Sequence, residues 1–193
     1  MVTSTVEPET TARIVGAADV LFYTRGIQAV GMDEIRSTAG VSLKKLYAAF
    51  PGKDHLVAAV LVGRHEFWEQ GIRAAVDAAE GPRAQLLAVY DFLESWFGDD
   101  TFRGCGFVNA FGELGATSPA VAAIARDHKD SFQRFVAGIA VQAVPDAARA
   151  EELAAQLALL AEGAQTTAAI AGTTDAAVHA RRAAAVLIDA ATP

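Results

Sequence analysis

Apolar residues recur along almost the whole chain at the three- and four-residue spacing that is typical of amphipathic α-helices. The first apolar stripe lies between residues 10 and 25 and comprises Ile14, Ala17, Ala18, Leu21 and Phe22. Gly26 then follows as a residue suited to ending a helix. No segment shows the alternating pattern of a strand with hairpin turns. The pattern therefore predicts an all-α protein of about nine helices.

Glycine, proline and capping residues divide the rest of the chain into eight further helical segments. Two are short and meet at Gly40, which permits a sharp turn, and Ser42 is a natural cap for the second of them. The longer segments end at breakers such as Pro51-Gly52 and Gly81-Pro82. The predicted segments after the first are 33–39, 43–50, 53–79, 82–97, 107–116, 119–144, 147–172 and 176–191.

The first three helices predict a helix-turn-helix, in which one helix braces a second that enters the major groove of DNA. Their apolar residues can pack on Leu21 and Phe22 to form a small core: Ile35, Ala39, Val41, Leu46 and Phe50. We therefore divide the chain into a DNA-binding domain, residues 1–52, and a helical ligand-sensing and dimerisation domain, residues 53–193.

The core leaves one face of the third helix for DNA. Lysines can donate to guanine or phosphate, Leu43 can touch a thymine methyl group, and the helix N-terminus favours phosphate. Taken alone, each lysine is more often a solvated surface charge and Tyr47 a packing aromatic, so the prediction depends on the whole pattern. The predicted DNA-binding residues are Arg36, Ser42, Leu43, Lys44, Lys45, Tyr47 and Lys53.

The charge distribution is compatible with DNA despite a net charge of −7. Residues 1–56 contain six basic and six acidic side chains, so the acidic excess lies entirely in the remainder of the chain. Binding depends on local charge at the phosphates rather than on the total. Because the predicted reader is neutral, two linked readers would bind better than one.

Composition sets the class of protein and its expected compartment. Of 193 residues, 52% are hydrophobic and 20% charged, which is typical of a globular chain. We expect no membrane span, because no run of about 18 uncharged apolar residues occurs. Cys105 is the single cysteine and the N-terminus lacks the layout of a signal peptide, so we expect a cytoplasmic protein.

The middle of the chain is rich in aromatic residues with a few interleaved polar groups. A mostly apolar cavity with a few polar anchors is typical of a small-molecule site. The alternative, an ordinary aromatic core, is the better interpretation for any one of these residues. The predicted ligand-binding residues are Trp68, Phe92, Trp96, Phe107, Asn109, Phe111, Glu113 and Phe132.

Two further features have alternative interpretations. The last two helices are rich in alanine, so they predict either a four-helix homodimer interface or packing within one chain. Cys105, flanked by Gly104 and Gly106, is either a small buried apolar residue or a sensor of oxidants or electrophiles.

Residues about 10–60 resemble the DNA-binding domain of the TetR family of transcriptional regulators. The resemblance rests on these residues: Ala17-Ala18, Leu21-Phe22, Gly26, Asp33-Glu34-Ile35, Ala39-Gly40-Val41-Ser42, Leu46-Tyr47, Phe50-Pro51 and Lys53. It implies a nine-helix, Ω-shaped homodimer that binds operator DNA, an inducer pocket in the middle region, and phosphate contacts at Tyr47 and Lys53.

The chain also departs from the usual pattern of that family. The family commonly has Thr or Ser where Gly31 stands, and His where Ala49 stands. It commonly has Lys, Gly and Thr at the positions of Leu43, Lys44 and Lys45. These departures leave the fold unchanged and the operator sequence open.

We therefore predict a DNA-binding transcriptional regulator, a repressor that a small, largely apolar or aromatic ligand releases from a double-stranded operator. The alternative is an all-α small-molecule-binding or interaction protein that does not act on DNA. The chain has neither the HExxH, GxSxG nor phosphate-loop motif, so we expect no enzyme activity, metal or cofactor.

Overall fold

The structure, a computed structural model, describes residues 7–192. Those residues form nine α-helices and no strand, which confirms the all-α prediction. The helices are α1 (Pro8–Arg25), α2 (Met32–Ala39), α3 (Leu43–Ala49), α4 (Lys53–Asp77), α5 (Pro82–Phe97), α6 (Gly106–Leu114), α7 (Pro119–Ala143), α8 (Ala147–Ala171) and α9 (Asp175–Ala191).

The helix ends lie where the sequence places capping and breaking residues. Gly40 ends α2 in the left-handed region, with φ of 64°, a conformation that costs glycine little. Ser42 begins α3 by accepting a hydrogen bond from Lys45 N at 3.2 Å. Asp146 begins α8 in the same way, accepting from Arg149 N at 2.9 Å. Local side-chain chemistry therefore fixes these boundaries.

The chain forms two compact packing units. One contains the residues up to Glu66 together with Gly106–Ala125, and the other contains Phe67–Cys105 together with the residues from Arg126 onwards. Helices α4 and α7 each contribute to both. These units describe packing, and the functional boundary at residues 52 and 53 stays a prediction.

In the first unit, α1, α2 and α3 share a small apolar core. Ile14, Ile35 and Leu46 are fully buried, and Phe22 is nearly so. Leu21, which the sequence places beside Phe22 in the core, is only half-buried. The helical pattern thus identified the correct apolar stripe. Within it, Phe22 is buried and Leu21 only partly so.

In the second unit, the alanine-rich helices α8 and α9 pack with α5. Small side chains let these helices approach closely; the buried alanines of α8 are Ala150, Ala154, Ala158, Ala161, Ala164 and Ala168. The hydroxyl of Tyr90 on α5 donates to Leu157 O at 2.8 Å. Burial raises the pKa of Tyr90 well above its usual value, so it remains a neutral donor there.

Two exposed ion pairs also join α5 to α9. Arg83 binds both carboxylate oxygens of Asp189, at 2.7 and 3.0 Å. These hydrogen bonds hold the pKa of Asp189 below its usual value. In the second pair the arginine is on α9, where Arg181 binds Asp91 of α5. Pairs this exposed orient helices more than they stabilise the fold.

Within residues 7–192, no helix is both long and apolar enough to cross a membrane.

Candidate nucleic-acid interface

Four side chains of α3 face outward, because one residue of the helix is buried and anchors it to the core. Leu46 is fully buried, whereas Lys44 and Lys45 on the same short helix are exposed. Leu43 and Tyr47 remain 47% and 46% exposed although both are large and hydrophobic in part. An exposed pair of lysines beside an exposed aliphatic and an exposed phenol matches the chemistry of base edges and phosphates.

The N-terminus of α3 is capped, and that of α2 is not. Ser42 satisfies one free amide of α3, as predicted from the sequence, while its own side chain stays on the exposed surface. Gly31 precedes α2 without any side-chain cap, the consequence expected from the absent Thr or Ser. Arg13 supports the other end of α2 by donating to Ala39 O at 2.7 Å and Gly40 O at 3.0 Å.

Within residues 7–192, ion pairs engage two arginines of this unit and leave the two lysines of α3 unpaired. Arg25 pairs with Glu34, and Arg36 with Asp33 at 2.8 Å. Among the described residues, no ion pair engages Lys44 or Lys45. The balanced net charge of the segment therefore conceals two exposed lysines that are available to phosphate.

Lys53 and Arg36, the outlying members of the predicted DNA-binding set, are held by neighbours. The Lys53 ammonium lies 5.8 Å from the centroid of the Phe22 ring, a cation–π arrangement that places it at the start of α4. Arg36 is partly exposed and is already paired with Asp33. The structure brings all seven predicted residues into one packing unit, and their contact with DNA stays a prediction.

Two family profiles match the chain. Residues 14–60 match "Bacterial regulatory proteins, tetR family", and residues 82–184 match "Tetracyclin repressor-like, C-terminal domain". The second match alone covers more than half of the chain. The chain belongs to the TetR family. The two matches support the prediction of a DNA-binding transcriptional regulator over that of a binding protein that does not act on DNA.

Curated relatives of this TetR-family regulator match it over part of their length. The HTH-type transcriptional activator FasR of Mycolicibacterium smegmatis is 40% identical over 82 residues, which cover 40% of this chain and 37% of FasR. The HTH-type transcriptional regulator TtgR of Pseudomonas putida is 36% identical over 90 residues, covering 44% of this chain and 43% of TtgR. The chain thus matches about two fifths of the length of these relatives.

Solved structures match the fold over nearly the whole chain. A TetR-family transcriptional regulator from Streptomyces coelicolor superposes with a TM-score of 0.89 at 25% identity, covering 97% of this chain and 98% of the other. The reduced form of E. coli NemR superposes with a TM-score of 0.80 at 19% identity, covering 91% and 94%. The second similarity concerns the fold alone.

Four of the eight predicted ligand-binding residues form one aromatic cluster in the second unit. We use that name for Trp68, Phe92, Trp96 and Phe132. The Trp68 ring packs edge-on against Phe92 and Phe132, with centroids 6.2 and 5.2 Å apart, and Phe92 stacks on Trp96 at 6.3 Å. Gly71 allows the approach of Phe92, because a Cβ there would lie 2.7 Å from that ring. The cluster is filled by its own side chains.

The other four predicted ligand-binding residues lie on α6, in the first unit. Phe107 is buried, whereas Asn109 and Phe111 are exposed. Glu113 has a role that the sequence did not indicate, because both of its carboxylate oxygens accept hydrogen bonds from the backbone of the α1–α2 turn. The involvement of all eight residues in ligand binding stays a prediction.

Two cavities have measured volumes. One in the first unit, lined by Asn109 and Glu113 among others, has a volume of about 30 Å³, which is room for one or two waters. The other is an open groove of about 370 Å³ in the second unit, lined by Arg73, Arg134 and Phe135 with three neighbours. The aromatic cluster lines neither of these two.

Cys105 is buried beside a charged pair. Its Sγ atom lies 3.4 Å from the Nζ atom of Lys129, which also pairs with Glu162. Arg103, which is close to Cys105 in sequence, donates to the backbone carbonyls of Asp100 and Phe102. Lys129 is distant in sequence, and no local pattern identified it. A sensing role for Cys105 stays a prediction.

The Ser42 cap yields a prediction about stability. Replacing Ser42 with alanine leaves a free amide at the start of α3, and we expect the free energy of unfolding to fall by about 1 kcal/mol. Denaturant unfolding followed by circular dichroism measures the change. Ser37→Ala is the matched control, because Ser37 lies exposed inside α2, where alanine favours the helix. Equal destabilisation by both variants would contradict the capping role.

Proposed function

We propose that this regulator is a homodimeric repressor that reads its operator with α3 and is released from it by a small, largely apolar or aromatic ligand. The observation that carries the proposal is the exposed face of α3. Leu43, Lys44, Lys45 and Tyr47 are exposed there, while Leu46 is buried and anchors the helix. A helix anchored on one side and polar on the other suits the major groove.

The residues of the proposed interface divide by the kind of contact they make. Tyr47 and Lys53 are assigned to phosphates, where they position the reader without selecting a sequence. Lys44 and Lys45 are assigned to guanine acceptors or neighbouring phosphates, and Leu43 to a thymine methyl group. Sequence preference then resides at the exposed N-terminal turn of α3.

Dimerisation through α8 and α9 is proposed from the apolar side chains that these helices leave exposed. Leu159 and Ile170 on α8 are 70% and 83% exposed, and Val186 on α9 is 68% exposed. On α8, the exposed positions 155, 159, 163, 166 and 170 recur at helical spacing and form one face. A second copy of the chain would remove that face from water.

A dimer also supplies affinity that a single reader lacks. The balanced charge of residues 1–56 limits the number of phosphates that one head neutralises. Two heads held at a fixed separation bind two half-sites as one event. Operator recognition and dimerisation are therefore linked in this proposal.

We place the ligand site at the aromatic cluster and propose that the protein represses transcription. A ligand that favours a dimer with wrongly spaced heads releases the operator by a shift of population. Repression is the simplest outcome of such release, although the relative FasR is an activator by name. A reporter gene placed behind the bound fragment tests the sign.

We also propose that the protein has no catalytic activity and acts in the cytoplasm, where its DNA partner is found. Within residues 7–192, no group of three or more His, Cys, Asp or Glu side chains is placed to hold a metal ion. The role assigned to each residue is binding or positioning.

The reader assignment predicts how variants change DNA binding. On genomic fragments selected by the purified protein, Tyr47→Ala with Lys53→Ala should weaken binding to every sequence by about tenfold or more. Lys44→Ala or Lys45→Ala should also change the preferred bases. Fluorescence anisotropy at several salt concentrations measures both effects. Arg126→Ala, which removes an exposed cation from α7, is the control. Unchanged affinity of the double variant would show that α3 is not the reader.

The dimer assignment predicts the effect of a buried charge. Ile170→Glu would place a carboxylate in the apolar interface, so we expect monomers with unchanged helical content and much weaker operator binding. Sedimentation velocity measures the mass. Val20→Glu, at a 60% exposed site on α1, should remain dimeric. A dimer that persists in Ile170→Glu would assign the interface to another surface.

The ligand assignment predicts an optical signal. Both tryptophans of the chain, Trp68 and Trp96, lie in the aromatic cluster. A compound that releases the operator should therefore change the intrinsic fluorescence, and Trp68→Phe should reduce that change. A structural isomer that does not release DNA is the control. Release of DNA with unaltered fluorescence would place the ligand elsewhere.

A further inference from the structure

The C-terminal end of α6 is bound to the turn that joins α1 to α2. Glu113 accepts hydrogen bonds from two successive backbone amides, Ile27 N at 2.9 Å and Gln28 N at 2.8 Å, one on each carboxylate oxygen. The Gln28 side-chain amide returns a bond of 2.8 Å to Glu113 O. About 85 residues separate these partners in sequence, so the contact is entirely tertiary.

Gly26 makes this contact sterically possible. Its φ of 87° lies where side chains other than glycine are strained. A Cβ at Gly26 would also lie 3.2 and 3.3 Å from the two carboxylate oxygens of Glu113. The glycine thus ends α1 and leaves space for the carboxylate at the same position.

The N-terminal end of α6 is held against α1 by a second contact. Gly106 packs closely on Arg64, since a Cβ there would lie 3.2 Å from the Cδ atom of that arginine. Arg64 in turn pairs with Asp19, and its guanidinium lies 3.7 Å from the centroid of the Tyr23 ring. The C-terminal end of α6 is therefore bound directly to the α1–α2 turn, and its N-terminal end is linked to α1 through Arg64 of α4.

The turn held by Glu113 leads directly into the reading helices. Residues 27–31 connect α1 to α2, and α2 braces α3. Because α2 lacks a side-chain cap at Gly31, its entry is not fixed locally. Hydrogen bonds from backbone amides to a carboxylate are stronger than neutral ones, and a bidentate pair fixes direction as well as distance. The Glu113 contact therefore constrains the turn that leads into α2.

We propose that Glu113 is a positioning residue that ties α6 to the α1–α2 turn and thereby holds α2 and α3 in the orientation that binds DNA. This inference rests on the proposed use of α3 as the reader. Glu113 itself touches no DNA in this arrangement.

The test compares Glu113→Gln and Glu113→Ala with the wild-type protein on a selected operator fragment. Glutamine retains one acceptor but presents its NH₂ group to a backbone donor, whereas alanine removes both acceptors. Hydrogen exchange followed by mass spectrometry reports the backbone of residues 23–31. We expect about tenfold faster exchange there and about tenfold weaker operator binding for alanine, with an intermediate effect for glutamine.

Global stability separates positioning from a purely structural role. A positioning role predicts faster exchange confined to the α1–α2 turn and its neighbours, with α4, α5 and the melting temperature little changed. Glu66→Gln, a charge loss at an exposed site on α4, is the control and should leave exchange and binding unchanged. Faster exchange throughout the chain with a large fall in melting temperature would overturn the proposal.

Gly26→Ala provides an independent disruption of the same contact from the opposite side. It should reproduce the local exchange and the loss of affinity while all DNA-contacting side chains remain present. Gly16→Ala is its control, because Gly16 lies within α1 and a Cβ there meets nothing within 4 Å. If the wild-type protein binds the operator and the Glu113 variants bind it equally tightly, the positioning role is overturned and the proposed reader is not. If the wild-type protein itself binds no DNA, the proposed reader is overturned.

Discussion

The burial of Leu46 is the contact on which the exposed face of α3 depends. Helix α3 has seven residues, and a helix of that length is not stable in water by itself. It persists because Leu46 is fully buried and Ser42 caps its first turn. With that one side chain directed into the core, the residues at either side must face solvent. The exposure of Lys44, Lys45 and Tyr47 is therefore a consequence of packing.

The reader is supported as much by distant residues as by its own sequence. Arg13 on α1 satisfies the carbonyl groups at the end of α2, and Glu113 on α6 satisfies amides before its start. Gly31 supplies no cap of its own. These tertiary hydrogen bonds hold the segments on either side of α2, and neither of them caps the first amides of that helix. The orientation of α2 and α3 is coupled to α1 and α6 for that reason.

The two packing units differ in the kind of surface that they expose. In the first, ion pairs neutralise Arg25 and Arg36 and leave the α3 lysines as available cations. In the second, buried alanines bring α8 and α9 together, while Leu159, Ile170 and Val186 remain exposed. In the proposed dimer, a second copy would add affinity to the weakly charged α3 surface and would bury the exposed apolar face of α8 and α9. The weak charge of the reader and the exposed apolar face together support a dimeric regulator more strongly than either feature does alone.

The sequence by itself determined the number of helices, nearly all of their ends and the exposed face of α3. These depend on local periodicity and on capping residues such as Gly40, Ser42 and Asp146, which act within a few positions of themselves. It did not indicate the hydrogen-bond partners of Glu113, which is predicted to bind ligand, or the lysine beside Cys105, because both depend on contacts between distant segments. Only the tertiary structure placed the Glu113 carboxylate against the amides of Ile27 and Gln28, since no local pattern records which backbone donors a distant turn leaves unsatisfied.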